Sequence, residues 1–211
     1  MSVFNIIIAG LTAYVLGSIP SAVWAGRLFH GIDIREHGSG NAGATNVIRV
    51  LGWKTGIPVL LIDMAKGFFA SMLPRLLHLA PAGSAAMINL QILTGFLAII
   101  GHIFPLFAGF RGGKGVAAMF GIFLAIHPLA TLACLGIFLI TFIITGFVSV
   151  SSISAGISLP IILFALFDTP SLFFKIFSVL TALALIVTHR KNIRRLINGE
   201  EPKLFRKKQK K

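Results

Sequence analysis

The chain carries few charged residues and a single cysteine, and both shortages narrow the class of protein. Charged residues make up 12% of the 211 residues and hydrophobic ones 56%, whereas a soluble domain carries about 25% charged residues. Cys134 lies alone in an apolar run, which excludes an internal disulfide and a thiolate metal site. Composition therefore predicts an all-α protein that is integral to a membrane.

One stretch lacks charge altogether and bears on the number of membrane spans. Residues 115–167 contain no Asp, Glu, Lys or Arg. A membrane-spanning helix needs about 20 residues, so length alone allows two long spans or three short ones there. Further apolar windows lie at 3–25, 56–78, 85–107 and 171–188. The first of these has no basic segment before it and is longer than the apolar core of a signal peptide, so we expect it to be retained.

The distribution of basic residues decides between two and three spans. Seventeen of the 19 Lys and Arg residues fall in the loops of one side and in the C-terminal segment, and only Arg75 and Lys175 remain for the other side. Because positive charge collects on the cytoplasmic side, Lys114 lies inside and Lys175 outside. An odd number of crossings must separate them, so the uncharged stretch holds three spans. We place them at 115–129, 131–148 and 152–167, with breaks at 127–128 and 149–152.

The resulting prediction is a protein of seven transmembrane helices, with its N-terminus outside and its C-terminus in the cytoplasm. Residues 1–201 form a single membrane domain, and 202–211 form a basic cytoplasmic tail. We expect this tail to bind anionic membrane lipid. Nucleic acid is not an expected partner, because the positive charge follows the topology and does not form one face.

The loop at 31–55 is too rich in glycine and small polar residues for an ordinary connection. Its centre reads GSGNAGATN and contains a GxGxxG pattern, but the flanking membrane helices exclude the βαβ unit that a dinucleotide site requires. Glycine lets the backbone approach a ligand closely. A helix over 45–51 would place Asn46 and Arg49 on one face. Arg49 could then bind phosphate with two hydrogen bonds. We therefore predict Ser39 as catalytic and the following residues as substrate-binding: Asn41, Thr45, Asn46 and Arg49.

A glycine-rich basic turn, RGGKG at 111–115, opens directly onto the uncharged stretch. It is not a Walker A loop, because that motif would need glycine at Ala108 and Ser or Thr at Gly115. Freed backbone N–H groups, a lysine and the positive end of the following helix still make an anion site, and phosphate is the obvious anion. We predict that this phosphate is bound by Gly112, Gly113 and Lys114.

The segment HRKNIRRLINGEE, at 189–201, places His189 and Asn192 on one helical face. A histidine titrates near neutral pH, so His189 is either a proton carrier or a structural residue. We predict that His189 and Asn192 are catalytic. In the second span, Asp63 and Lys66 lie one turn apart, and we expect them to pair or to support the first loop rather than to act directly. No histidine has a partner at metal-ligand spacing, so we expect no protein-bound metal.

At these segments the chain resembles the bacterial acyl-phosphate-dependent glycerol-3-phosphate acyltransferases, which are integral membrane enzymes. The resemblance covers about a third of the chain and is carried, in order, by GSIPSAVWAGR, IDIREHGSGNAGATNVIRVLGWKTG with the following DMAKG, GHIFPLFAGFRGGKGVA and HRKNIRRLINGEE. It implies a seven-helix fold in the bacterial cytoplasmic (inner) membrane, with the active site facing the cytoplasm. It also implies transfer of a fatty acyl group from acyl phosphate to the 1-hydroxyl of glycerol 3-phosphate, the first step of phospholipid synthesis. The products are 1-acylglycerol 3-phosphate (lysophosphatidic acid) and phosphate.

The residues suit the two substrates that the resemblance implies, fatty acyl phosphate and glycerol 3-phosphate. The donor is an activated mixed anhydride, so positioning and charge stabilisation suffice and no cofactor is expected. The proton of the attacking hydroxyl can go to His189 or to a substrate phosphate. The alternative function is a membrane transporter of a small phosphorylated metabolite. An odd number of spans, no internal repeat and polar segments on one side favour the enzyme.

Overall fold

The computed structural model describes residues 2–204, and every regular element within that range is a helix. The predicted all-α fold is thus confirmed, and residues 205–211 of the predicted basic tail lie outside the described residues. Two 3-10 turns, Ile34–Glu36 and Leu106–Ala108, follow the second and fifth α-helices. The α-helices are α1 (Val3–Gly17), α2 (Ser21–His30), α3 (Ala44–Leu51), α4 (Trp53–Leu76), α5 (Ala85–Ile103), α6 (Val116–Ile126), α7 (Pro128–Thr145), α8 (Val148–Leu166), α9 (Leu172–Thr188) and α10 (Arg190–Ile197).

Several helical segments are long and apolar enough to cross a membrane. Helices α9 and α10 form one such segment together, bent by 55° at their junction, and α6 is apolar but has only 11 residues. Five further segments are long and apolar enough by themselves: Val3–His30, Trp53–Leu76, Ala85–Ala108, Pro128–Thr145 and Val148–Leu166. Each predicted apolar window coincides with one of these five or with the α9–α10 segment.

One of the two breaks predicted inside the uncharged stretch is confirmed and the other is wrong. The chain breaks at His127, between α6 and α7, as expected. The second break was predicted at 149–152, but those residues belong to α8, and the break lies at Gly146 and Phe147. Gly146 has a φ of 73°, which only glycine adopts without strain. The serine run therefore continues a helix, in which the Ser151 hydroxyl donates to the Phe147 carbonyl one turn earlier at 2.9 Å.

The chain divides into two compact units, Met1–Pro128 and Leu129–Lys211. In the first unit α4 packs against α1, α3, α5 and α6. Small residues make these crossings close: a β-carbon at Gly67 would overlap the Ala118 carbonyl, and one at Gly121 would overlap the Met64 carbonyl. Close contact of this kind stabilises helix pairs in lipid, where burial of apolar surface supplies no driving force between helices.

The first span is not the continuous helix that the window 3–25 suggested. Pro20 lacks a backbone N–H, and the helix is interrupted between Gly17 and Ser21. At the interruption the Ile19 carbonyl accepts from the Ser21 N–H at 3.0 Å, outside the regular helical pattern. Lys66 of α4 donates to the same carbonyl from its Nζ at 2.9 Å. A charged residue of another helix therefore also holds the break.

In the second unit α8 packs against α9, and α10 follows α9 after a single residue, His189. The exposed residues of α10 are mostly basic, whereas Asn192 is buried. After α10 the chain returns to the start of α8, where the Leu204 N–H donates to the Gly146 carbonyl at 3.2 Å. This return places the acidic end of the segment 189–201 against α8.

Candidate functional site

The glycine-rich loop is organised by the side-chain amide of Asn46, which is 1% exposed. Its Oδ1 accepts a hydrogen bond from the Ser39 N–H at 2.9 Å, and its Nδ2 donates to the carbonyls of Ile34 at 3.1 Å and His37 at 2.9 Å. Both ends of the amide are therefore used by the loop backbone. This geometry assigns Asn46 to shaping the loop, in place of the predicted contact with substrate.

The other predicted residues of this loop lie where a ligand can reach them. Ser39 is exposed at the tip, and the next two, Asn41 and Thr45, are half-buried. The helix predicted over 45–51 is confirmed as α3, and Arg49 is half-buried in its last turn, one turn after Asn46. The structure thus separates the predicted set into one residue that holds the loop and several that line it.

The two glycines of the RGGKG turn are there for close packing. A β-carbon at Gly112 would overlap the His102 carbonyl, and one at Gly113 would overlap the His102 ring. Their backbone N–H groups already donate, from Gly112 to the Ile103 carbonyl at 3.0 Å and from Gly113 to the His102 carbonyl at 3.2 Å. The expectation that these two amides bind phosphate therefore does not fit this geometry.

The anion-binding features of the turn begin after the two glycines. Gly115, with a φ of 78°, precedes α6, which starts at Val116. The first N–H groups of a helix have no partner inside the helix, and the helix dipole makes that end positive. Lys114 is half-buried directly before it. The lysine and the first turn of α6 together place positive charge at this end of the helix. The predicted binding of phosphate by Lys114 stays a prediction.

Beneath this turn lies a buried polar cluster that includes the predicted pair. Asp63 Oδ1 and Lys66 Nζ are 2.9 Å apart, so the expected pairing is confirmed. The Ser21 hydroxyl donates to the same carboxylate at 2.6 Å, and His102 Nδ1 lies 3.7 Å from it. All four side chains are buried. A buried charge pair with an additional hydrogen bond at the carboxylate satisfies the desolvated groups far better than either charge alone.

A small cavity adjoins the cluster. Its volume is about 10 Å³, which is close to the space that one water molecule needs. Its walls include Ile19, Ala42, Lys66, His102 and Gly113. The cavity thus touches the helix break, the glycine-rich loop and the RGGKG turn. Ser21 and His102 could not be singled out from the sequence, because their partners lie in other helices.

In the second unit, His189 lies at the junction of α9 and α10 and is 5% exposed. Its Nδ1 is 2.8 Å from the Leu185 carbonyl. A carbonyl can only accept, so Nδ1 carries the proton and Nε2 is the basic nitrogen of the neutral ring. The position of the ring is therefore fixed by the turn that precedes it, and its tautomer suits a proton acceptor.

Asn192 shares a carboxylate with two other side chains. Its Nδ2 donates to Glu201 Oε1 at 2.7 Å, the Ser149 hydroxyl donates to the same oxygen at 3.0 Å, and Arg195 Nε donates to Oε2 at 2.8 Å. Burial raises the pKa of Glu201, but these hydrogen bonds outweigh it and bring the pKa below its ordinary value. Glu201 has one signal in the sequence, which is that an acidic pair ends a strongly basic segment.

His189 and Asn192 lie one turn apart as predicted, and both are buried. Among residues 2–204, no group of three or more His, Cys, Asp or Glu side chains is placed so as to hold a metal ion.

The chain is similar in sequence to known proteins over most of its length. A family profile described as "Glycerol-3-phosphate acyltransferase" matches residues 7–199. The glycerol-3-phosphate acyltransferase of Chlorobium luteolum is 42% identical over 219 residues, covering 91% of this chain and 93% of that protein. Its counterpart in Listeria welshimeri is 48% identical over 200 residues, with coverages of 95% and 97%.

Solved structures agree with the sequence relatives. A crystal structure of PlsY (YgiH), an integral membrane glycerol 3-phosphate acyltransferase in its glycerol 3-phosphate form, matches with a TM-score of 0.81 and 34% identity, covering 94% of each chain. A second structure, the lysophosphatidic acid form, matches with a TM-score of 0.77 and 32% identity. With the profile spanning nearly all of the sequence, the chain belongs to the glycerol-3-phosphate acyltransferase family.

Proposed function

We propose that this protein transfers a fatty acyl group from acyl phosphate to the 1-hydroxyl of glycerol 3-phosphate. The observation that carries the proposal is Lys114, placed before the first turn of α6 in an integral membrane protein, because it supplies the positive site that a lipid phosphate needs. Family membership supports the acceptor, and the glycerol 3-phosphate and lysophosphatidic acid forms of PlsY name the same acceptor and product.

The reaction exchanges one bond to the acyl carbon for another. The hydroxyl oxygen attacks the carbonyl carbon of the mixed anhydride, the bond to the phosphate oxygen breaks, and inorganic phosphate leaves. Because phosphate is already a good leaving group, the protein needs to hold two anions and to offset charge that develops on the carbonyl oxygen. No cofactor takes part in this scheme.

The residues of the first unit are proposed to hold the substrates. Lys114 and Arg49 bind phosphate groups by charge and, for the guanidinium, by paired hydrogen bonds. Ser39, Asn41 and Thr45 supply neutral hydrogen bonds from the glycine-rich loop. Ser39 lies at the exposed tip, and we assign it a direct part in catalysis through contact with a reacting group.

His189 and Asn192 are proposed to act on the proton of the attacking hydroxyl. His189 offers Nε2 as an acceptor, and Asn192, held by Glu201, supplies a hydrogen bond of fixed direction. The phosphate of the substrate is an alternative acceptor, since its second pKa is about 6 by analogy with phosphoserine. In both cases the hydroxyl proton leaves as the oxygen–carbon bond forms.

We further propose seven membrane spans, with α6 and the bent α9–α10 segment counted among them. The N-terminus then lies outside and the C-terminus in the cytoplasm. The protein would lie in the inner membrane of a bacterium, with its active site on the cytoplasmic side. Support comes from the basic residues, of which 17 of 19 fall on the cytoplasmic side in this arrangement. The basic tail at 202–211 would contact anionic lipid.

One experiment tests the function directly. Purified protein in lipid nanodiscs is given acyl phosphate and glycerol 3-phosphate, and released phosphate and lysophosphatidic acid are both measured. Equal amounts of the two products are expected, with none when either substrate is omitted. Acyl coenzyme A replaces acyl phosphate in a parallel reaction. Product formed from acyl coenzyme A but not from acyl phosphate would contradict the proposed donor. Uptake of glycerol 3-phosphate into vesicles without any product would favour the transporter.

A further inference from the structure

Arg35 joins two loops that are distant in sequence. Its Nη1 donates to the Ala108 carbonyl at 2.8 Å and to the Arg111 carbonyl at 3.3 Å. Its Nε lies 2.9 Å from Asp33 Oδ1, and its Nη2 lies 2.6 Å from Asp33 Oδ2. All three nitrogens of the guanidinium are therefore engaged, and only 15% of the side chain is exposed.

The arrangement requires arginine in particular. Asp33 accepts a hydrogen bond from the Arg35 backbone N–H at 3.0 Å, which begins the 3-10 turn Ile34–Glu36 and aims the carboxylate at the guanidinium. The planar fork of arginine can then bind the carboxylate with one edge and reach carbonyls with the remaining nitrogen. A lysine carries the same charge but cannot make both sets of bonds at once.

At its far end, Arg35 holds the chain just before Lys114. Gly109 and Phe110 both have positive φ, at 63° and 58°, and for phenylalanine this conformation is strained. Such strain persists only where surrounding contacts impose it. The Phe110 N–H bonds to the Pro105 carbonyl at 2.9 Å, and Arg35 binds the carbonyls on either side of Phe110.

At its near end, Arg35 lies in the 3-10 turn Ile34–Glu36, which leads directly into the loop that carries Ser39. The carbonyls of Ile34 and His37, which flank Arg35, both accept from the Asn46 amide, and that amide also accepts from the Ser39 N–H. Residues 34–39 are thus tied to α3 through Asn46 at three points. A shift of the Arg35 backbone relative to α3 would have to break at least one of these bonds, and the guanidinium itself is fixed to this segment by its bonds to Asp33.

We propose that Arg35 is a positioning residue for the acyl transfer, because it sets the distance between the Ser39 loop and the turn that carries Lys114. The inference rests on the proposed function, in which these two segments bind the substrates. Arg35 acts through backbone carbonyls and not by contact with substrate. Displacing a binding group by about 1 Å can cost about 100-fold in rate, so a loop-to-loop bond of this kind has a measurable effect.

The chain offers a matched control in Arg27. Arg27 Nη2 also binds Asp33 Oδ2, at 2.9 Å, but its side chain is 58% exposed and no bond from it to the second loop is seen among the described residues. Arg35→Gln and Arg27→Gln therefore each remove one positive charge that binds the Asp33 carboxylate. Only Arg35→Gln also removes the hydrogen bonds to the carbonyls of Ala108 and Arg111. We expect Arg35→Gln to lower kcat/KM by roughly 10- to 100-fold and Arg27→Gln by less than about threefold.

A double-mutant cycle distinguishes positioning from general stability. If Arg35 acts by placing Lys114, Arg35→Gln adds little to the loss already caused by Lys114→Ala, whereas Arg27→Gln combined with Lys114→Ala multiplies the single effects. The unfolding temperature of each variant is measured in the same nanodiscs. If Arg35→Gln does not fold, Arg35→Lys, which keeps the charge but not the fork, is taken through the same cycle.

The outcomes separate this inference from the proposed function. Wild-type protein that makes no lysophosphatidic acid from the two substrates would remove the proposed function itself. Active wild-type protein with Arg35→Gln equal to Arg27→Gln, or with losses that multiply in the Arg35→Gln/Lys114→Ala protein, would overturn the positioning role alone. Non-multiplying losses in that double variant support it.

Discussion

Asp63 and Lys66 form a salt bridge of 2.9 Å one helical turn apart in α4, and both side chains are almost fully buried. The pair is held further by the Ser21 hydroxyl on the carboxylate and by the Ile19 carbonyl on the ammonium. Each charge therefore has partners from a second segment of the chain. Because removing one member leaves the other charge buried, the two residues should behave as a unit in mutagenesis.

This relationship predicts a reversal between single and double substitutions. Asp63→Asn or Lys66→Met alone is expected to destabilise the fold by about 3–5 kcal/mol, the usual cost of an unpaired buried charge. The combined Asp63→Leu/Lys66→Met protein is expected to be more stable than either single variant. Thermal unfolding in one detergent measures all three. Single losses that simply add in the double variant would show that the charges are not coupled.

Lys114 is predicted to act through its charge at the start of α6. Lys114→Ala should lower kcat/KM by roughly 10²- to 10³-fold, as removal of one stabilising donor does in other acyl-transfer sites. Arg111→Ala is the control, because Arg111 is a neighbouring exposed cation whose backbone carbonyl, and not its side chain, is used by Arg35. Steady-state rates at varied acyl phosphate and glycerol 3-phosphate give both values. Equal losses in the two variants would indicate a general effect of charge.

His189 separates the two possible proton acceptors. If Nε2 takes the hydroxyl proton, His189→Ala should lower kcat by roughly 10²- to 10⁴-fold. His78→Asn serves as control, since His78 is exposed and asparagine tolerates its positive φ of 49°. The comparison uses single-turnover rates, so that product release does not mask the chemistry. A nearly normal rate in His189→Ala would assign the proton to the substrate phosphate.

Glu201 is predicted to be required for the order of the second unit. Glu201→Gln removes the charge that Asn192 and Arg195 bind, and hydrogen bonds to a charged group contribute about 1.5–3 kcal/mol each. We therefore expect a lower unfolding temperature together with a lower kcat. Glu200→Gln, at the exposed neighbouring carboxylate, should leave both unchanged. Identical behaviour of the two variants would contradict the role of Glu201.

The Asp33 carboxylate predicts a specific dependence of stability on pH. The hydrogen bond from Arg35 holds the pKa of Asp33 well below its ordinary value of 3.8, although burial acts in the opposite direction. A carboxyl with a depressed folded-state pKa stabilises the protein above its unfolded pKa, and the contribution is lost as the pH falls toward the folded one. The unfolding temperature should therefore drop below about pH 4. This drop should be smaller in Asp33→Asn than in the control Glu36→Gln, whose carboxylate is exposed.

The class of fold and most helix positions could be predicted because they follow from long-range averages of the sequence. Apolar windows and the distribution of charge do not depend on which atom contacts which. The misplaced break shows the limit of that reasoning. Serines at 149–152 have low helix propensity, yet the break falls at Gly146, where the backbone needs a positive φ. A local conformational requirement thus overrode the composition of the neighbouring residues.

The candidate site was predicted in its residues more than in their roles. Asn46 was expected to contact substrate because it lies in a polar loop, but its amide is used by three backbone groups of that loop. Gly112 was expected to offer an amide, but its position next to the His102 carbonyl explains the glycine. Roles of this kind depend on contacts between distant segments, and Arg35 and Glu201 escaped notice for the same reason.

The break at Pro20 has a consequence for how the chain enters the bilayer during synthesis. The break leaves the Ile19 carbonyl, whose backbone donor is the Ser21 N–H at 3.0 Å, open to a second donor. A second segment inserted alone would carry Lys66 and Asp63 into hydrocarbon, where one charged residue costs about 2.5–3.5 kcal/mol. The salt bridge between them offsets part of this cost, and the first segment supplies further partners, the Ile19 carbonyl to Lys66 and the Ser21 hydroxyl to Asp63. The two segments should therefore leave the translocon as one helical hairpin.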